Sequence, residues 1–262
     1  MRIEEPTLTK AILEYTDFEV AGRRVQIPYY LHPKKRKWRF WEYSSKEPAS
    51  RIRNNLLKKA AKRGFGLSQR SSDEITSFMK DNRLGIDCSG FVYQVLKPLV
   101  KEKANRHLGV GLKRLPGVLG ELEMLLLLWR RERRIGAKLL NDDLNSVPVE
   151  NLAEVRPGDL IKLTPISDAH YHIAVVVWLE RNAGGDLREI VAAHSGRYTV
   201  PSGPHLVTIE VTAPALGIED QVWHETLKEG LPVTPEAYKG DFRTTYLRAG
   251  YGERLRRLRV LL

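Results

Sequence analysis

Cysteine is almost absent from this chain of 262 residues, which contains only Cys88. A single thiol excludes an intrachain disulfide and cannot by itself form a thiolate-rich zinc site. Cys88 is therefore either a buried structural thiol or a reactive one.

Long apolar runs are also missing. The most apolar stretch, residues 122–129, includes Glu123 and is far shorter than the roughly 20 residues that a membrane-spanning helix needs. A signal peptide would need an uninterrupted apolar run near the N-terminus. Charged side chains interrupt that region instead, at Glu4, Glu5, Lys10, Glu14 and Asp17. We therefore expect no membrane span and no export signal, so that the chain as written would be cytoplasmic or would reach the cell wall by a route that the sequence does not show.

Acidic residues are too few to balance the basic ones, since 32 Asp and Glu stand against 43 Lys and Arg, for a formal charge of +11. Such a surface attracts anionic partners, which include nucleic acid, anionic lipid and acidic wall polymer. Residues 33–41 (PKKRKWRFW) combine basic side chains with aromatic rings that could stack on bases. A basic nucleic-acid-binding protein is thus one alternative, although no recognised nucleic-acid-binding motif accompanies the segment.

The order of predicted elements indicates an α+β protein. Apolar residues recur at helical spacing in the first part of the chain, whereas β-rich runs bounded by turn residues dominate the second part. The predicted helices are 48–63, 74–80, 85–96 and 118–134, and the predicted strands are 160–163, 173–178, 188–193, 205–211 and 242–247. Helices followed by strands favour an antiparallel sheet with helices packed on it.

We interpret residues 1–50 as an N-terminal extension with a possible strand at 24–30 and a basic, aromatic segment after it. Residues 51–262 would form the main domain, with a helical insert near 104–140 and further strands at the C-terminal end.

Cys88 is predicted at or near the start of a helix, where the helix dipole and a nearby imidazole would lower the pKa of the thiol. His172 opens the apolar run HIAVVVW and is the best candidate for that imidazole. His194 follows the next β-rich run and could reach across a hairpin to orient it. His170 is an alternative base, and His170 with His172 and either His194 or Cys88 could instead bind zinc.

These residues carry a family resemblance. Residues 85–92 (GIDCSGFV) resemble the nucleophile motif of the NlpC-type cell-wall cysteine peptidases, which belong to the papain-like superfamily. Residues 156–160 (RPGDL), 172–177 (HIAVVV) and 193–195 (AHS) are similar to later motifs of that family, in the same order. The resemblance covers roughly residues 27–195.

The resemblance implies a papain-like fold in which Cys88 attacks an amide, His172 transfers the proton and His194 orients His172. It assigns substrate binding to Asp87 and Ser89, and it assigns a contribution to the oxyanion site to Tyr29. The family's Pro-Tyr element continues with glycines, whereas Tyr30 and Leu31 follow Tyr29 here.

The implied substrate is a stem-peptide amide of peptidoglycan, at the linkage between D-Glu and the diamino acid, with muropeptide fragments as partners and no cofactor. A thiol acyltransferase or thioesterase of related fold is a further alternative. Many of those enzymes place the histidine before the cysteine, which is the reverse of the order here.

Overall fold

The computed structural model describes residues 1–31, 45–113, 135–163, 172–197, 199–226 and 255–262. The helices in these segments are α1 (Pro6–Thr16), α2 (Ala49–Lys62), α3 (Ser72–Asp81), α4 (Cys88–Ala104), α5 (Leu108–Gly111) and α6 (Ala137–Leu140). The strands are β1 (Arg2–Glu4), β2 (Glu19–Val20), β3 (Arg23–Arg24), β4 (Ser146–Pro148), β5 (Leu160–Leu163), β6 (His172–Arg181), β7 (Leu187–Gly196), β8 (Gly203–Glu210), β9 (Val222–His224) and β10 (Leu255–Leu258).

The main sheet has eight strands in the order β4-β10-β5-β6-β7-β8-β9, and β1 pairs with β6 beside this path. Every strand pair in it is antiparallel. Helices pack against this sheet, so the predicted α+β class with an antiparallel sheet is confirmed. Strands β2 and β3 form a separate two-stranded sheet.

Strand β6 is apolar along most of its length because both of its faces are buried. Ile173, Val175 and Val177 belong to a core shared with the helices, whereas Ala174 and Val176 belong to a second core on the other face of the sheet. A run without polar alternation is what burial on two sides requires. The strand therefore lies at the centre of the molecule.

Helix α4 is the helix that packs most closely on the centre of the sheet, where it contacts both β6 and β7. All of its residues from Cys88 to Leu96 are buried. Asp87 precedes the helix and caps it, since its side chain accepts a hydrogen bond from the backbone N–H of Gly90 at 2.6 Å. The first residue of α4 is thus held against the middle strands.

Several boundaries differ from the predicted ones. The helix predicted at 85–96 begins at Cys88 and continues through Pro98 to Ala104. The strand predicted at 24–30 is wrong, since only Arg23–Arg24 forms a strand there. Residues 1–31, which we interpreted as an extension, supply β1 to the main sheet, and α1 packs on α4.

Some predictions lie outside the described residues. These are the basic, aromatic segment at 33–41, the helix at 118–134, the alternative base His170 and the strand at 242–247. Among the described residues, no helix is both long and apolar enough to cross a membrane.

Candidate active site

The thiol of Cys88 lies at the start of α4 and is buried, with 7% of the residue exposed. The backbone N–H groups of Ser89 and Ile173 point at its sulfur. Ile173 directly follows His172 on β6. The sulfur is therefore held between the first turn of the helix and the first residues of the strand on which the predicted base lies.

The pKa of the Cys88 thiol differs from the sequence-based expectation, which was a lowered value. Burial, and after it the negative charge of Asp87, raise this pKa to about 12. The ammonium of Lys46 and the two backbone N–H groups act in the opposite direction but do not outweigh burial. The thiol is therefore protonated at neutral pH.

His172 and His194 lie side by side on the neighbouring strands β6 and β7. Nε2 of His172 is 2.8 Å from Nδ1 of His194, and the two rings meet edge to face at 85°. His194 is fully buried and His172 is half-buried. The predicted pairing of these two histidines across a hairpin agrees with this geometry.

Both imidazoles are electrically neutral at neutral pH. Burial lowers the pKa of His172 well below its ordinary value, and the adjacent His194 lowers it further. Burial also lowers the pKa of His194, although the nearby carboxylate of Glu225 opposes the shift. The site at rest therefore combines a neutral thiol with neutral imidazoles rather than an ion pair.

Asp87 and Ser89 flank Cys88 and form a buried polar cluster with Ser45 and Lys46. The Asp87 carboxylate accepts hydrogen bonds from the hydroxyl of Ser45 at 2.5 Å and from the ammonium of Lys46 at 2.9 Å. It also accepts one from the hydroxyl of Ser89 at 2.9 Å, and the Lys46 ammonium donates to that hydroxyl at 2.6 Å. These contacts attach Asp87 and Ser89, the two neighbours of Cys88 in the chain, to the segment that contains Ser45 and Lys46. Their contact with substrate stays a prediction.

Tyr29 lies beside the turn that precedes Cys88. It forms an isolated parallel bridge with Ile86, and the backbone N–H of Tyr30 donates to the carbonyl of Ile86 at 3.3 Å. The side chain of Tyr29 is half-buried. The backbone of Tyr29 therefore lies next to Ile86, which is two residues before Cys88 in the chain. The contribution of Tyr29 to an oxyanion site stays a prediction.

Two residues of this region were not predicted as part of the site. His205 on β8 pairs directly with His194 on β7, and its Nε2 lies 2.6 Å from Oε1 of Glu225. Nε2 of His194 lies 2.8 Å from the same oxygen. The hairpin register could have indicated His205, but Glu225 comes from beyond β9 and has no local sequence signal. Among the residues that the structure describes, His194, His205 and Glu225 form a group that could hold a metal ion, because their ligand atoms lie within 4.8 Å of one another.

The zinc site considered from the sequence required His170, which lies outside the described residues. Comparison with models of known protein families, with curated proteins and with solved structures finds no match for this chain.

Proposed function

We propose that the protein is a cysteine peptidase or amidase of papain-like fold, with Cys88 as nucleophile and His172 as base. The observation that carries this proposal is the position of the chain's one thiol. Its sulfur lies at the first residue of α4 and against the backbone of β6, whose first residue, His172, is within hydrogen-bonding distance of His194. A nucleophile, a base and a group that orients the base are the parts that acyl transfer to sulfur requires.

The neutral resting state of the site favours general-base attack. As the sulfur of Cys88 bonds to the carbonyl carbon of the amide, its proton passes to His172, and the electron pair of the carbonyl moves onto oxygen. When the C–N bond breaks, the proton moves from His172 to the leaving amine and a thioester remains. Water then attacks the thioester with His172 again as the base, which releases the acid and restores the thiol. This chemistry needs neither a metal nor an organic cofactor.

The proposed substrate is a stem-peptide amide of peptidoglycan at the linkage between D-Glu and the diamino acid. The support for it is the ordered set of motifs that resembles the NlpC-type peptidases. The basic surface supports it further, because wall polymers and muropeptide carboxylates are anionic. The papain-like arrangement is supported by the packing of α4 on the antiparallel sheet.

The test is mass spectrometry of defined muropeptides incubated with the wild type, Cys88→Ala and His172→Ala. We expect both variants to lose cleavage by at least about a thousandfold, because single losses within such a unit are that large. His224→Ala is the matched control, since His224 is an exposed histidine on β9 of the same sheet. It should cleave at the wild-type rate.

Two outcomes would contradict the proposal. Normal cleavage by Cys88→Ala would exclude the nucleophile. If the wild type leaves muropeptides intact but consumes acyl thioesters with dependence on Cys88, the protein is instead a thiol acyltransferase or thioesterase.

A further inference from the structure

The polar network of the candidate site extends beyond His194 to a buried carboxylate. The side chain of Glu225 is only 2% exposed, and its Oε1 lies 2.8 Å from Nε2 of His194 and 2.6 Å from Nε2 of His205. The rings of the two histidines are 4.4 Å apart, centre to centre. The network therefore runs from β6 through β7 and β8 to the segment after β9.

Glu225 is a carboxylate, not a carboxylic acid, in this environment. Burial opposes its ionisation, but the charges and hydrogen bonds of His194 and His205 outweigh burial and lower the pKa of Glu225 to about 2. An ionised carboxylate accepts hydrogen bonds and donates none. A histidine nitrogen that faces it must therefore carry hydrogen.

His205 is the second residue that faces Glu225. Its Nδ1 lies 2.8 Å from the backbone carbonyl of Gly203, and its Nε2 faces the carboxylate. A buried carboxylate without partners would cost several kcal/mol, and the contacts with His194 and His205 offset that cost.

We propose that Glu225 is a positioning residue that sets the tautomers of His194 and His172. The inference depends on the proposed function for its meaning in catalysis. Because the carboxylate requires hydrogen on Nε2 of His194, Nδ1 of His194 holds the lone pair and accepts from Nε2 of His172. Nδ1 of His172 is then left without hydrogen, as a base must be.

A metal ion held by His194, His205 and Glu225 would be the competing interpretation. Zinc in a tetrahedral site, with bonds of about 2.0–2.1 Å, separates neighbouring ligand atoms by about 3.3 Å. The two nitrogen-to-oxygen distances here are 2.8 and 2.6 Å, shorter than such a site gives, and the contact of His205 also has the angle of a hydrogen bond, whereas that of His194 is a close approach of nitrogen to oxygen. The geometry thus favours a shared hydrogen over a shared metal.

The first test needs no variant and no substrate. Nitrogen NMR of the full chain labelled in its histidines distinguishes the two neutral tautomers. We expect hydrogen on Nε2 of both His172 and His194. Hydrogen on Nδ1 of His194 would overturn the inference.

The second test is the rate at which iodoacetamide alkylates the single thiol between pH 6 and 9. Glu225→Gln can offer an amide N–H to His194 and so favour the wrong tautomer. We expect it to slow alkylation at neutral pH at least tenfold and to move the resonances of His172. Glu210→Gln is the matched control, because Glu210 pairs with His224 at 3.4 Å on the exposed surface of β8 and β9. Its thiol should be alkylated at the wild-type rate.

The outcomes separate this inference from the proposed function. If His172→Ala slows alkylation but folded Glu225→Gln does not, the base is correct and the role of Glu225 is refuted. If Glu225→Gln slows alkylation while the wild type cleaves no muropeptide, the role of Glu225 stands and the substrate is wrong. One equivalent of zinc in the purified protein that Glu225→Gln loses would refute the inference in favour of a metal site.

Discussion

The turn before Cys88 depends on the absence of a side chain at Gly90. An ideal Cβ at this position would lie 2.4 Å from the carbonyl oxygen of Ser45 and 3.0 Å from Cα of Lys46. The backbone of the Ser45–Lys46 segment can approach α4 only because Gly90 leaves this space. That close approach brings the hydroxyl of Ser45 and the ammonium of Lys46 to the carboxylate of Asp87. It also helps to hold the sulfur of Cys88 beside β6.

We therefore predict that Gly90→Ala lowers the free energy of unfolding by about 2–3 kcal/mol. The added methyl group would push the backbone of Ser45 and Lys46 away from α4 and so weaken their buried contacts with Asp87. Gly136→Ala is the control, since nothing lies within 4 Å of a Cβ at Gly136. Its effect should be below about 0.5 kcal/mol. Urea unfolding measures both variants, and equal midpoints would contradict the prediction.

Residues of the site differ in how far the sequence could reveal them. Cys88, Asp87 and Ser89 are adjacent in the chain, and a polar residue before an apolar helical run is a local signal for a helix start. His194 could be predicted because a short loop between two β-rich runs indicates a hairpin. Glu225 could not, because its partners are 20 and 31 positions away and only the folded sheet brings them together. Lys46 is similarly linked to Asp87 by tertiary packing alone.

At the scale of elements, helix α1 was not predicted, although the sequence contains a helical pattern of apolar residues there. Its buried residues are Leu8, Ala11, Ile12 and Tyr15, which recur at the spacing of one helix face. Pro6 stands at its first turn, where proline is favoured. The charged residues between them, Lys10 and Glu14, lie on the solvent side of the helix.

Helix α4 shows the opposite case, in which burial overrides a local rule. Proline inside a helix removes one hydrogen bond and costs about 3 kcal/mol, so a predicted end before Pro98, at residue 96, was reasonable. The helix nevertheless continues, and Leu99 and Val100 beyond the proline are buried in the core. Sequence periodicity cannot weigh that burial before the partner elements are known.

Strand β10 is attached to the sheet by an ion pair that local sequence does not reveal. Nε of Arg257 donates to Oδ1 of Asp159 at 2.7 Å, and Nη2 donates to Oδ2 at 2.7 Å. The backbone N–H of Arg156 also donates to Asp159, at 2.8 Å. The turn formed by residues 156–159 (RPGD) therefore also holds β10, a strand near the end of the sequence, in the sheet.

We predict that Arg257→Ala lowers the free energy of unfolding by about 3–5 kcal/mol, because it leaves the carboxylate of Asp159 buried and uncompensated. The side chain of Asp159 is only 2% exposed. Arg188→Ala, at an exposed position of β7, is the matched control and should change stability by less than about 0.5 kcal/mol. Chemical denaturation gives both values.

A double variant tests whether Asp159 is the cause. If the pair acts as described, adding Asp159→Asn to Arg257→Ala should cost much less than the sum of the two single changes. Simple additivity would show that the arginine stabilises β10 by packing and not through this carboxylate.

At the scale of the whole molecule, the buried histidines connect the site to the stability of the fold. His172 and His194 both have a pKa below their ordinary value of 6.5, so the folded chain binds fewer protons than the unfolded chain as pH falls below that value. The free energy of unfolding must then decrease with acidity. Glu225 acts in the same direction, since its pKa of about 2 is lower than the ordinary 4.5, and its contribution is lost as pH falls between these two values.

We therefore predict that the free energy of unfolding, and with it the urea midpoint, falls steadily from pH 7.5 to pH 5. The free energy should fall by up to about 1.4 kcal/mol per pH unit for each histidine that must stay neutral. His194→Gln should show a shallower slope over the same range, because one buried imidazole no longer excludes a proton. His224→Ala, which removes an exposed histidine, should keep the wild-type slope. A midpoint that is constant or rises toward pH 5 would mean that the two imidazoles of the site are charged in the fold, and the general-base scheme would then give way to a thiolate–imidazolium pair.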